Sequence, residues 1–432
     1  MADRVAVVGG GWAGCAAAVE LARRGAAVTL FEAARTLGGR ARRIEAGGRT
    51  LDNGQHIMLG AYAASLKLMR TVGVDLDRAL LALPLQMRYP PGGMDFVAPR
   101  LPAPLHLAIA LLRATGLARE DKLAMARFST TARWMGWRLD NDCTVAELLV
   151  RFDQTARLVD LMWRPLCLAA LNTPLETASA QVFLAVLRDS LGARRKASDM
   201  LLPRHDLSAL FPDAAARWLE RHGATIRSGA KVAEVAPLDG GWLLDGEPFD
   251  KVVVAASPAA TAALLAPLPE AAPVVAQLAA FTYEPITTCY LHYPENVRLA
   301  LPFYALEDAP SAGRWGQFVF DRGRLDPAQA GLLAVIVSAS GAAAALPQQE
   351  LAVAIAAQLA QAFGRPELAS PGWTKVVTEK RATYACTAGL ARPGNATPLA
   401  GLVLAGDFTA GDYPATLEMA VRSGQAAAKL LG

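Results

Sequence analysis

Charge, cysteine and long apolar runs are all in short supply in this 432-residue chain. Only 19% of residues are charged, and 43 basic side chains face 39 acidic ones, a formal net charge of +4. That excess is too small for a chain built to hold a nucleic acid. The five cysteines, Cys15, Cys143, Cys167, Cys289 and Cys386, are odd in number, far apart and without a CxxC pair. Neither a disulfide framework nor a metal site is expected from them. The longest uncharged stretches, Val252 to Pro269 and Leu332 to Gln349, are interrupted by Pro258, Pro267 and Pro347. Neither supplies the roughly 20 consecutive apolar residues of a spanning helix. Asp3, Arg4 and the glycines between Gly9 and Gly14 leave no apolar core for a signal peptide, so a cytoplasmic protein is expected.

Apolar residues are plentiful: 53% of the chain is hydrophobic and the mean hydropathy is +0.25. This excludes disorder and gives material for about two or three domains with a large core. The first 50 residues hold eight arginines and four acids, which equals the whole basic excess. The sequence therefore places the net charge at the N-terminus.

A nucleotide site is written into that region. An apolar strand, Arg4 to Val8, runs into Gly9-Gly10-Gly11-Trp12-Ala13-Gly14, then a helix, then a second strand from Ala27 to Phe31 that ends at Glu32. This is the strand–GxGxxG–helix–strand–acid order of a dinucleotide site. Gly9 allows the turn, Gly11 lets a pyrophosphate approach the backbone, and Gly14 lets helix pack on strand. Free N–H groups of Trp12 and Ala13 at the helix start suit phosphate, and Glu32 suits the ribose hydroxyls.

Downstream lies Arg35-Thr36-Leu37-Gly38-Gly39-Arg40, a second glycine pair that NAD does not require. It resembles the extended fingerprint of the amine oxidase and carotenoid desaturase flavoproteins. That resemblance implies FAD, with Arg35 near the adenosine and Gly39 and Arg40 near the phosphates. The chain ends on a similar note: Leu402 to Ala405, Gly406-Asp407, then Tyr413-Pro414-Ala415-Thr416 opening an amphipathic helix. In the same superfamily this unit closes the flavin site, which assigns Gly406, Asp407 and Thr416 to the cofactor. Ala230 to Val235 reads as a strand matching the one whose backbone meets the adenine, so Val232 joins the set.

The fold expected is α/β, a Rossmann-type FAD-binding domain with an inserted α+β substrate domain of antiparallel sheet and helical cap. The FAD domain would comprise 1–60, 203–280 and 385–432, and the substrate domain 61–202 and 281–384. Asp52-Asn53-Gly54-Gln55-His56, with Gly60 and Tyr62, resembles the loop that lies against the flavin ring in plant-type phytoene and zeta-carotene desaturases. Together with Trp163-Arg164-Pro165 and the C-terminal motif, it is similar to the squalene-associated desaturase-like proteins, the hydroxysqualene dehydroxylases of bacterial hopanoid pathways. The resemblance covers nearly the whole chain and is loosest between Tyr283 and Glu379.

That family implies a long isoprenoid alcohol as substrate, reduced by hydride from the flavin after its allylic C–O bond ionises. An apolar tunnel for it would absorb the excess of hydrophobic residues. Candidate acids are His56, His292, Asp189, Asp321 and Tyr413, with Arg164 to orient the hydroxyl. A Leu101–Leu112 stretch between Arg100 and Arg113 is too short to span, and fits either a buried cap helix or peripheral contact with the inner face of the cell membrane. No second nucleotide fingerprint identifies the electron donor. An isoprenoid desaturase, a flavin amine oxidase (Cys386 standing where some attach flavin) and a non-catalytic prenyl-lipid carrier remain open as alternatives.

Overall fold

The computed structural model describes residues 2–192 and 194–432. Five parallel strands form the nucleotide sheet: β1 (Arg4–Val8), β2 (Ala27–Glu32), β3 (Thr225–Ser228), β4 (Lys251–Val254) and β5 (Leu402–Leu404), in the order β3-β2-β1-β4-β5. Strands covered on both faces can be apolar at every position. Val5 to Val8 in β1 and Val252 to Val254 in β4 are accordingly buried throughout. The first helix, Trp12–Arg23, packs against the C-terminal helix, Leu417–Leu430. Gly424 makes that approach possible, since a Cβ there would sit 2.2 Å from the Ala13 carbonyl oxygen.

The second large sheet is antiparallel and runs in the order Phe303–Ala305, Phe318–Asp321, Leu332–Val337, Tyr283–His292, Trp373–Tyr384. Strand alternation gives it two different apolar faces. Cys289, Leu291, Val319, Val335 and Val337 pack with Leu351, Ile355 and Leu359 of the helix Gln348–Phe363. Phe318, Phe320 and Ile336 point the other way and line a cavity. Across that cavity stand helices Leu105–Arg113, Arg119–Trp134, Arg164–Leu171 and Ala180–Ser190. One hydrophobic cluster joins these helices, the open face of the antiparallel sheet and β4. The α/β class with both sheet types is thus the observed one.

Three expectations need correction. Ala230 to Glu234 belongs to no strand, and the strand begins only at Val235, running to Leu238. Backbone amides in the segment are taken by other partners: Ala230 donates to Glu32 O, and Ala233 to the Asp245 carboxylate. The N-terminal arginines are also not a free patch. Arg4 pairs with Glu247, Arg24 with Glu20, Arg40 with Asp407, and Arg43 with Asp206 and Asp213. The charge of these four is balanced locally. The Leu101–Leu112 stretch is one short helix, Leu105–Arg113, that buries only His106 and Ala110, so it is not a buried cap helix. Among the described residues no helix is long and apolar enough to cross a membrane.

Candidate active site

A single cavity of about 1370 Å³ runs from the glycine loop to the cap helices. That exceeds the roughly 300–1,000 Å³ of an ordinary one-ligand pocket. At its inner end the local geometry follows from the glycines. Gly9 has φ +111°, and a Cβ on Gly14 would fall 1.8 Å from the Gly9 carbonyl oxygen. A Cβ on Gly11 would meet nothing nearer than Gly39 Cα at 3.9 Å, so the cavity reaches the backbone there. Gly11 caps the first helix without any side-chain bond, and Trp12 and Ala13 line the cavity with it. Glu32 holds the loop by accepting from Gly10 N and Ala34 N, each at 2.7 Å.

The second glycine pair closes on the first, Gly38 N donating to Gly10 O at 2.8 Å. Arg40 then crosses to the C-terminal motif. Its Nη2 donates to both Asp407 carboxylate oxygens at 2.7 and 2.6 Å, and Nη1 to Ala382 O at 2.7 Å. Gly406 N donates to Ser423 Oγ, and Thr416 caps the C-terminal helix by accepting from Met419 N. Gly406, Asp407, Thr416 and Val232 all line the cavity, and so do Gly39 and Arg40. Two helix N-termini, at Gly11 and Thr416, therefore meet one cavity and favour negative charge there.

His56 lines the middle of the cavity. Its Nδ1 lies 2.9 Å from Gly54 O. A carbonyl only accepts, so Nδ1 carries the proton and Nε2 of the neutral ring is an acceptor. Burial pushes the His56 pKa down, against the smaller opposing effect of Gly54 O. Beneath this loop Asp52 is buried, accepts from Leu207 N at 2.7 Å, and titrates at about 6 because burial outweighs the nearby Arg322 charge. Arg322, 2% exposed, donates to Gln55 Oε1 and Gln329 Oε1, each at 3.0 Å. No motif pointed to Arg322, because it follows a strand in the least recognisable part of the sequence.

A flavin-containing amine oxidoreductase family model matches residues 12–431. The chain belongs to that family. A hydroxysqualene dehydroxylase of Sinorhizobium fredii is 30% identical, the match covering 100% of this chain and 98% of the relative. One from Rhodopseudomonas palustris is 29% identical over 100% and 99% of the two chains. Among solved structures, cyclohexylamine oxidase from Brevibacterium oxydans superposes with a TM-score of 0.69 at 19% identity, over 100% of this chain and 99% of that one. Across that distance only the fold is shared.

As a member of this flavoprotein family the protein is an FAD-dependent oxidoreductase, and its residues fit the cofactor. The open backbone at Gly11, the acid at Glu32 and the two helix starts match a pyrophosphate flanked by a ribose and an electron-rich ring edge. Three of the sequence-derived assignments do not reach the cavity: Gly14 is packed against Gly9 and Ala255 beneath the loop, and Arg35 and Arg164 point elsewhere. Arg35 is exposed and lines none of it. Arg164 turns outward to Asp160, with Asp308 at 4.0 Å, because its helix presents Leu166 and Leu168 inward instead. Of the remaining acids, Asp189 and Tyr413 line the cavity, Tyr413 Oη donating to Asp189 Oδ2 at 2.6 Å. Asp321, whose Oδ2 accepts from Leu299 N, and His292, at a strand end, both lie outside the lining. Cys386 is buried away from the cavity.

Proposed function

We propose that this flavoenzyme removes the hydroxyl of hydroxysqualene reductively and yields squalene. The observation that carries the reading is the continuous apolar channel from the glycine loop to the cap, walled by Phe318, Phe320, Ile336, Leu107 and Leu111. Such walls hold a long hydrocarbon and exclude water, and the names of the full-length relatives point to the same substrate. Bound FAD in its reduced form supplies hydride equivalents. The protein's own task is to hold the allylic carbon beside the cofactor and to protonate the departing oxygen. The C–O bond breaks, a C–H bond forms and water leaves.

His56 takes the proton-donor role in this proposal. Its pKa is lowered by burial, so its imidazolium form is a stronger acid than free histidine. In the neutral ring Nε2 accepts from the substrate hydroxyl and positions the oxygen; a proton taken up from solvent at Nε2 is the one passed to that oxygen as water leaves. Tyr413, held by Asp189, has its pKa raised by burial and stays protonated, so it orients rather than ionises. Gly9, Gly11, Gly14, Glu32, Gly39, Arg40, Val232, Gly406, Asp407 and Thr416 are proposed to hold FAD, with the domain division 1–60, 203–280 and 385–432 against 61–202 and 281–384. A substrate this insoluble is drawn from a lipid phase, and we place that contact on the inner membrane face near residues 101–112.

Anaerobic mixing of reduced enzyme with hydroxysqualene, followed for flavin reoxidation and squalene, tests the reading. Reoxidation with squalene as product is expected, slowed by roughly 100-fold or more in His56→Ala. An unimpaired variant removes His56 from the mechanism. A second reading has its own observation: a neutral His56 with a free Nε2 is also a base, as a desaturase running hydride transfer the other way needs. Oxidised enzyme that converts phytoene and leaves hydroxysqualene untouched would select it.

A further inference from the structure

The outer end of the cavity has features that the dehydroxylation chemistry does not require. It passes between helix Leu105–Arg113, which contributes Leu107, Ala108 and Leu111, and helix Arg119–Trp134, which contributes Ala126, Ser129 and Thr130. The latter three follow the 3–4 residue spacing of one helical face. At and around this mouth the two helices leave large apolar side chains in solvent: Leu112, on the rim of the cavity, is 70% exposed, and outside it Leu105 is 55% and Trp134 87% exposed. Leu101 and Leu123 extend the same set. An apolar area of this kind rimmed by polar groups marks an interaction surface.

Charge identifies the partner. Residues 100–138 hold seven basic side chains and two acidic ones, more than the net +4 of the whole chain. One of the two acids, Asp121, is buried and accepts from Ala118 N and Thr155 Oγ1, so it does not offset the surface charge. Among the described residues Arg100, Arg113, Arg119, Arg127, Arg133 and Arg138 make no ion pair, whereas Arg4, Arg24, Arg40, Arg43 and Arg422 of the nucleotide domain do. An unpaired basic rim around exposed leucine and tryptophan has the chemistry of a bilayer interface with anionic headgroups.

We propose that helices Leu105–Arg113 and Arg119–Trp134 form an anionic-lipid docking surface whose central gap is the substrate's passage from bilayer to flavin. Leu101, Leu105, Leu112 and Trp134 enter the headgroup region, while Arg113, Arg119 and Arg127 hold phosphates beside it. Leu107 and Leu111 face the passage and not the lipid. The second helix supplies most of the charge, so docking is selective for anionic membranes and reversible by salt. The proposal deepens the reading of an isoprenoid substrate and rests on it only for the purpose of the passage.

The test is co-sedimentation of the FAD-loaded full chain with phosphatidylcholine vesicles, with and without 30% phosphatidylglycerol, across a salt titration. Binding to the anionic vesicles at low salt, lost at high salt, is expected for the wild type. Replacing Arg113→Gln, Arg119→Gln and Arg127→Gln together is expected to weaken it roughly 100-fold. Leu105→Ser with Trp134→Ser should also release the protein. None of these five residues lines the cavity, so turnover of detergent-dispersed substrate should be unchanged. That assay separates the two ideas, because vesicle binding needs no substrate and dispersed turnover needs no vesicle. Equal binding to neutral and anionic vesicles overturns the proposal. So does binding to neither, which would leave this face for a protein partner.

Discussion

The two alanine substitutions Gly11→Ala and Gly14→Ala should fail in different ways, although both sit in one six-residue loop. At Gly14 the new Cβ would lie 1.8 Å from Gly9 O and 3.2 Å from Ala255 Cβ. That is well inside any non-bonded contact, and both neighbours are fixed by the parallel sheet, where Gly9 N donates to Phe31 O and Ala255 N to Val8 O. Helix or strand must move, at a cost of about 1–3 kcal/mol or more. The melting temperature of the cofactor-free protein should fall by on the order of 5 °C. At Gly11 the backbone is in an ordinary region, φ −72° and ψ −178°, and the Cβ has nothing within 3.9 Å. Cofactor-free Gly11→Ala should therefore melt like the wild type. Its methyl group instead occupies the space that phosphate needs. Losing one or more amide contacts to a charged group costs about 1.5–3 kcal/mol each, or roughly 10- to 150-fold in Kd. Melting curves with and without excess FAD, combined with flavin fluorescence titration, measure both quantities. Wild-type FAD affinity in Gly11→Ala, or a wild-type cofactor-free melt for Gly14→Ala, would refute the reasoning.

Two stability predictions follow from buried carboxylates. Asp52 titrates at about 6 when folded, above its unfolded value. A raised pKa means the native state binds the extra proton, so this stabilisation is full below the unfolded pKa near 4 and is lost as pH rises through 6. Denaturant titrations at pH 4.5 and 7 should show the advantage of the wild type over Asp52→Asn shrinking by roughly 2 kcal/mol between them. A constant difference would place the titration elsewhere. Glu418, fully buried, accepts from Ala64 N, Ser65 N, Ser65 Oγ and Arg422 Nε, and so caps the helix Ala63–Thr71 from the C-terminal helix. Glu418→Ala should lower stability by about 3–5 kcal/mol in chemical denaturation, and a loss under 1 kcal/mol would show those donors finding other partners.

The parts of the molecule that were legible in the sequence are those where chemistry restricts the residue type. β1, the glycine loop and Glu32 were readable because a pyrophosphate site tolerates few substitutes, and β5 because a strand buried on both faces is an uninterrupted apolar run. The antiparallel strands were placed less sharply. Only the domain 281–384 was assigned to that sheet, while its strands Phe318–Asp321 and Trp373–Tyr384 had no sharp markers. Period-two patterning weakens where both faces are apolar, one against a helix and one against a cavity. Arg164 and Arg35 went astray because a motif fixes a residue's place along the chain but not the direction of a long flexible side chain. The charge distribution was misjudged for a related reason. Counting arginines in a window cannot show that Arg40 and Arg43 meet acids 163 to 367 positions away, while those of residues 100–138 meet none.

The sheet order has a consequence for how the protein comes into being. β1 lies at the centre, but its neighbour β4 is some 240 residues downstream, and β5 flanks β4 only after residue 402 has been made. During synthesis the nascent chain must carry β1 and β2 with one long apolar edge unpaired, and then the edge of β4. Gly406, Asp407 and the helix that packs on Ala13 arrive later still. Until those segments are made the cavity lacks part of its wall, and the growing chain with its open strand edges is a natural client for chaperones.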